Sequence, residues 1–163
     1  MPTSNPDGTT DSNNEAAQFG VRHDQAKQDV DLRGRILLVE DGADCQQLVS
    51  MQLNSAEVLI ASAEDGQVAV QMATAQPFDL ILMDIRMPVM DGYAATAELR
   101  RRGLTTPIMA LTALATAEAR NRCIDSGCND YLPKPVERHK LLVVVSQYLG
   151  KRETTNAVSA TPR

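Results

Sequence analysis

Between Arg35 and Gly150 the chain repeats one pattern five times: a short apolar run, followed by a stretch of helix length that is apolar along one side. The runs are Ile36 to Val39, Val58 to Ala61, Leu80 to Met83, Ile108 to Leu111, and the short Tyr131 to Leu132. A strand apolar on both sides of its pleat must be covered on both faces, and strands that alternate with helices are joined by crossover connections. The expected fold is therefore α/β, a sheet of five parallel strands covered by helices.

The intervening stretches carry the covering layers. The one from Ala43 to Leu53 is expected to bury Cys45, Leu48 and Val49 and to turn Asp44, Gln46 and Gln47 to water. Stretches near Gly66 to Ala75, Gly92 to Arg102 and Ala115 to Ser126 are similar, with Ala often replacing larger apolar residues. In the last one, Leu141, Leu142, Val144, Val145, Tyr148 and Leu149 fall at helical spacing and Gly150 follows as a stop. Residues 1–33 are rich in Ser, Thr, Asn, Asp and Gln, with too few large apolar residues to offset the entropy of ordering them. They are expected to be a disordered leader, residues 34–150 the folded domain, and the polar residues 151–163 a disordered tail.

Composition removes several function classes. Aromatic residues make up only 3% of the chain, so the core is aliphatic, and without Trp there is little to stack nucleic-acid bases. A formal charge of -5 offers no basic surface to a phosphate backbone, so no direct nucleic-acid partner is expected. No apolar run approaches the roughly 20 residues of a membrane helix, so the expectation is a cytoplasmic chain that makes no membrane contact. Cys45, Cys123 and Cys128 are odd in number and lack CxxC spacing, which argues for buried free thiols and against a disulfide framework or a zinc site.

In an open parallel sheet, ligands collect beyond the carboxyl ends of the strands. Glu40 and Asp41 end the first strand, Asp84 the third and Thr112 the fourth, and Lys134 follows the fifth. Paired acids at a helix start are common by themselves. Three carboxylates brought to one edge, however, repel one another and lift at least one pKa unless a cation neutralises them. Oxygen ligands without His or Cys select a hard cation, and a few carboxylates that leave room for water and phosphate suit Mg2+.

These residues sit in a recognisable order of motifs. ILLVED ends in Glu40 and Asp41, and Ala63, Gly66 and Ala69 follow at three-residue spacing. LILMDIRMPVMDG contains Asp84, Pro88 and Gly92, then LTA contains Thr112, and GCNDYLPKP contains Tyr131, Lys134 and Pro135. Over roughly Arg35 to Leu149 the chain resembles the response-regulator receiver family, a module also found in hybrid histidine kinases.

The resemblance implies a flavodoxin-like, doubly wound five-stranded parallel sheet in strand order 2-1-3-4-5 with helices on both faces, and a set of roles. Asp84 matches the phosphoacceptor, taking a phosphoryl group from a phosphohistidine on a histidine kinase or histidine phosphotransfer protein. Asp41, Asp84 and the backbone carbonyl of Arg86 would hold the metal directly, and Glu40 through water. Lys134 and Thr112 would contact the phosphoryl oxygens, with Lys134 aimed by a cis bond to Pro135. Thr112 and Tyr131 would form the switch, changing the surface around the fourth helix, fifth strand and fifth helix, a face that also suits a weak homodimer. The resemblance implies self-phosphorylation and self-dephosphorylation rather than turnover of a separate substrate. The DLRGRILLVED start and the LTALATAEARNRCIDSGCNDYLPKP stretch favour the hybrid-kinase branch. Gly42 stands where relatives commonly carry Asn or Asp, and residues 54–57 lack the glycine that often precedes the second strand. These two departures bear on the register of the first helix.

Other features have plainer expectations. Met83, Met87 and Met90 are packing residues, Arg100 to Arg102 a solvated helix end, and neither His23 nor His139 is placed to be a phosphodonor. Three alternatives were weighed: a haloacid-dehalogenase-like phosphatase, which needs an acid where Arg86 stands; a flavin carrier, whose phosphate Glu40 and Asp41 would repel; and a degenerate receiver used only as a protein-interaction module.

Overall fold

The computed structural model describes residues 32–54 and 58–149. Its elements alternate strictly: β1 (Gly34–Val39), α1 (Ala43–Leu53), β2 (Val58–Ala63), α2 (Gly66–Ala75), β3 (Leu80–Asp84), α3 (Gly92–Arg101), β4 (Ile108–Thr112), α4 (Ala117–Ser126), β5 (Asp130–Pro133) and α5 (Arg138–Leu149). All strand pairings are parallel, in the order β2-β1-β3-β4-β5. The strands extend the apolar runs by one or two residues, because backbone pairing continues past the last apolar side chain into the polar ends. The leader proper and the tail lie outside the described residues. Leu32, at the boundary set for the leader, is buried in the core.

Side chains alternate across each strand, and this period of two divides the core into two layers. Leu38, Leu82 and Met109 point to one face, where they meet Val49 and Leu53 of α1 and Leu141, Val145 and Leu149 of α5. Leu37, Met83 and Ala110 point to the other, where they meet Ala69, Val70 and Ala73 of α2, Ala95 and Leu99 of α3, and Cys123 of α4. Met87 and Met90 pack against this second layer, as expected of them.

Three helices begin on side-chain caps. Asp65 accepts from the Val68 N–H at 2.9 Å, Asp91 from Ala94 at 2.8 Å and Thr116 from Ala119 at 3.2 Å. The α1 N-cap, Gly42, has no such side chain. Its own N–H instead donates to Glu40 Oε1 at 3.1 Å, which ties the helix start to the site.

Three expectations need correction. Within α1, Cys45 and Leu48 are exposed, while Val49 and Leu53 form the buried strip. Cys45 is therefore not a buried thiol, unlike Cys123 and Cys128, whose pKa values burial pushes up. Arg100 is also not a solvated helix end. Its guanidinium donates to the carbonyls of Gly127 at 2.9 Å, Leu104 at 2.7 Å and Thr106 at 2.9 Å, and to Asn129 Oδ1 at 2.9 Å. It binds the end of α3 to the loops that precede β4 and β5. Arg101 and Arg102 do lie at the surface, both on Glu98.

Candidate functional site

The sheet order places the site. Because β1 lies between β2 and β3, the connection leaving β1 runs to one face and the connection leaving β3 to the other, which opens a crevice at their carboxyl ends. The β1–β3 register ends with Val39 beside Met83, so the next residues, Glu40 and Asp84, come abreast. Asp84 also pairs with Leu111, which puts Thr112 one residue beyond it on β4.

Glu40, Asp84 and Thr112 are buried, whereas Asp41 is exposed. One carboxylate oxygen each from Glu40, Asp41 and Asp84 lies within 4.8 Å of the others. Lys134 spans two of these acids. Its Nζ is 2.6 Å from Glu40 Oε2 and 3.1 Å from Asp84 Oδ1. Burial raises the Glu40 pKa, and the Lys134 hydrogen bond and the Gly42 N–H offset part of that rise. For Lys134, burial works against the ammonium, but the hydrogen bonds and charges of Glu40 and Asp84 prevail and hold its pKa above the ordinary lysine value. The three acids together fit a divalent cation with oxygen ligands, the class that accepts carboxylates without His or Cys.

Backbone geometry holds the groups in place. The Ile85 N–H donates to the Leu111 carbonyl at 3.1 Å and the Arg86 N–H to Asp84 Oδ1 at 3.2 Å. At Gly92, a Cβ would lie 2.2 Å from the Asp84 carbonyl oxygen, so only glycine lets α3 start this close to Asp84. The Lys134 N–H donates to the Thr112 carbonyl at 2.7 Å, and the peptide bond from Lys134 to Pro135 is cis. The Thr112 hydroxyl accepts from the Leu114 N–H at 3.1 Å and donates to the Leu114 carbonyl at 3.3 Å. Tyr131 is half-buried against the second core layer.

A cleft of about 530 Å³ adjoins these groups, lined by Asp41, Arg86, Thr112 and Leu114 together with Tyr93 and Arg122. The sequence argument did not find Tyr93 or Arg122. Gln46, expected to face water, is instead half-buried, and its Nε2 donates to the Glu40 carbonyl. Neighbours on separate helices leave no signal in a single sequence. His139 is exposed on α5, and His23 lies outside the described residues.

Comparison with known proteins agrees with this geometry. The family model described as "Response regulator receiver domain" matches residues 36–146. The chain belongs to that family. Receivers are, in general, phosphoacceptor modules of two-component systems rather than turnover enzymes. A sensor histidine kinase, RcsC of Salmonella typhi, is 36% identical over 122 residues, covering 75% of this chain and 13% of the relative. The chain thus spans about an eighth of that kinase's length, and both sensor kinases and two-component response regulators are among its relatives. Among solved structures, the receiver domain of the Pseudomonas aeruginosa sensor histidine kinase PA1611 is 42% identical. The likeness covers 72% of this chain and 98% of that one, with a TM-score of 0.67, and its active-site cleft holds a coordinated magnesium ion. The receiver of yeast Ssk1, solved with the histidine phosphotransfer protein Ypd1, is 27% identical with a TM-score of 0.69, covering 77% of this chain and 95% of that one. Among the described residues, no helix is long and apolar enough to cross a membrane.

Proposed function

We propose that Asp84 accepts a phosphoryl group from a phosphohistidine on a histidine kinase or histidine phosphotransfer protein, with Mg2+ bound beside it. The observation that carries this reading is the meeting of Glu40, Asp41 and Asp84 within 4.8 Å, with the Lys134 ammonium 3.1 Å from the acceptor. An Asp84 oxygen attacks phosphorus, the bond from phosphorus to the histidine nitrogen breaks, and the nitrogen keeps the electron pair and takes a proton. Asp41, Asp84 and the Arg86 carbonyl would hold the metal, and Glu40 would contact it through water. When bound, the ion neutralises charge on the phosphoryl oxygens. Lys134 presents a positive charge to the same oxygens and Thr112 donates a hydrogen bond to them.

Readout begins at Thr112. To reach the phosphoryl group its hydroxyl leaves Leu114, and Tyr131 turns into the space released, so the faces of α4, β5 and α5 change together. Exposed Ile124 on α4 and Val143 on α5 give that surface an apolar component suited to a weak homodimer. Kinship to sensor kinases supports a hybrid-kinase origin, and the free thiols support a reducing cytoplasmic setting. Arg86 stands where a haloacid-dehalogenase-like phosphatase needs its second acid, and the complete acceptor set disfavours a purely structural receiver.

The test is intact-chain mass after incubation with phosphoramidate, with and without magnesium. The parent should gain one phosphoryl group only with the metal, and Asp84→Asn should gain none. An equal gain in both chains would overturn the assignment, as would steady phosphate release from a generic phosphatase substrate.

A further inference from the structure

Among the described helices, α4 buries little large apolar side chain. Of its ten residues only Ala119 and Cys123 are buried, and both are small. α5 by contrast buries Leu141, Val145 and Leu149, and α3 buries Leu99 along with Ala95 and Thr96. Burial of so little apolar surface provides weak positional restraint.

Two arginines on its exposed side add ring contacts, and they reach to different elements. Arg122 sits over the ring of Tyr93 on α3, with 4.4 Å from guanidinium carbon to ring centroid. Arg120 sits over the ring of Tyr131 on β5 at 5.9 Å. Both lie within the range at which a guanidinium is attracted to a ring face, the first well inside it and the second near its limit. Both arginines are otherwise exposed. Tyr93 also packs against the core layer that holds Cys123. One flank of α4 is thus held firmly to a helix, and the other loosely to a strand tyrosine.

We infer that Arg120 is a latch for α4 and that the Arg122–Tyr93 stack is its pivot. The inference rests on the proposed role of Tyr131 in the switch. While Tyr131 stays where Arg120 covers it, both flanks are held. When the ring turns inward, Arg120 loses its seat and Arg122 keeps its own, so α4 swings about the α3 side. The coupling works in both directions, as any linked equilibrium must. Arg120 stabilises the outward ring, and its removal shifts the molecule toward the switched state without a phosphoryl group. The effect should be modest, because exposed contacts of this kind change an equilibrium only about two- to fivefold.

Hydrogen exchange of the Ala117–Ser126 amides, followed by mass spectrometry on the full chain, reads this directly. In the unphosphorylated protein, Arg120→Ala should speed exchange about two- to fivefold, and Arg120→Lys by less. Phosphorylation by phosphoramidate and magnesium should speed exchange in the parent chain but add little in Arg120→Ala. Arg122→Ala should raise exchange in both states and leave the phosphorylation increment intact. Tyr131→Leu, which keeps bulk and removes the ring, should match Arg120→Ala, and the double variant should show no further gain. An unchanged rate in Arg120→Ala, a full phosphorylation increment in it, or additive effects with Tyr131→Leu would each refute the latch. Intact mass in the same samples separates the two readings. A parent that gains no phosphoryl group removes the acceptor assignment and the switching role with it, whereas a failed latch leaves the phosphoryl gain in place.

Discussion

The two faces of the sheet are built from different stock. Against α1 and α5 the strands meet Val49, Leu53, Leu141, Val145 and Leu149, while against α2, α3 and α4 they meet largely Ala69, Ala73, Ala95 and Cys123. The strand alternation assigns the site residues to these faces as well. Asp84 shares the side of β3 that carries Leu80 and Leu82, which is the large-aliphatic face. Thr112 shares the side of β4 that carries Ile108 and Ala110, and Tyr131 packs with that same small-residue layer. The proposed acceptor is mounted on the face with the larger interlocking side chains, and the proposed switch on the face where small residues leave helices free to shift. An acceptor must hold its geometry, and a switch needs two arrangements of similar free energy.

If the faces differ in this way, truncation should injure one and enlargement the other. Leu141 is fully buried on α5. Leu141→Ala should cost about 2–5 kcal/mol, the range for a leucine cavity in a packed core, as measured by urea denaturation. A loss under about 1 kcal/mol would mean that the large face collapses freely around a void and is not the rigid mount described.

Enlargement is best tested at Gly66, the first residue of α2. Its N–H donates to the Met90 carbonyl at 3.1 Å, and a Cβ there would lie 2.5 Å from that oxygen and 2.9 Å from the Ala95 Cβ. Gly66→Ala must push α2 away from the loop between β3 and α3, at a net cost of about 1–2 kcal/mol once the better helix propensity of alanine is counted. The same loop carries Val89 at φ 69°, a left-handed conformation unfavourable for a β-branched side chain. Displacing its support should also slow phosphoryl gain at Asp84. Unchanged stability together with an unchanged rate would break the link between helix spacing and the site.

Much of this was legible in the sequence, because the informative patterns were local. Runs such as Leu80 to Met83 are apolar at every position, and only a strand covered on both faces satisfies that. Glu40, Asp84 and Thr112 could be placed together since each ends such a run, and a parallel sheet brings those ends to one edge. The buried strip of α1 was not legible. Cys45, Leu48, Val49, Met51 and Leu53 are spread around the helix, and the choice falls to Val49 and Leu53 through the docking of α1 against α5 and β2. Arg100 was hidden for a similar reason. Its partners are carbonyls of Leu104, Thr106 and Gly127, whose directions depend on loop paths and not on residue type.

Lys134 follows β5 at the carboxyl edge, and an effect similar in size to that at Gly66 should arise there, with a pH signature of its own. Its raised pKa means that its contribution to stability is complete below the ordinary lysine value of 10.5 and is lost as pH rises through the higher folded value. Glu40 has the opposite consequence. A carboxyl with a raised folded pKa binds its proton more tightly when folded, so its burial costs stability as pH rises above 4.5, and Lys134 offsets that cost. Lys134→Met leaves Glu40 and Asp84 facing each other without the ammonium. In metal-free buffer near neutral pH the loss should be about 1–2 kcal/mol, less than for a fully buried pair because the lysine is partly exposed. The deficit should shrink toward pH 4, where Glu40 takes up a proton, and magnesium should restore part of it at neutral pH by supplying the missing positive charge. Denaturation midpoints for parent and variant at both pH values, each with and without magnesium, decide the point. A deficit that does not change with pH would show that Lys134 supports this edge by packing alone, and the seam between the two faces would then be held as the rest of the core is, by apolar contact.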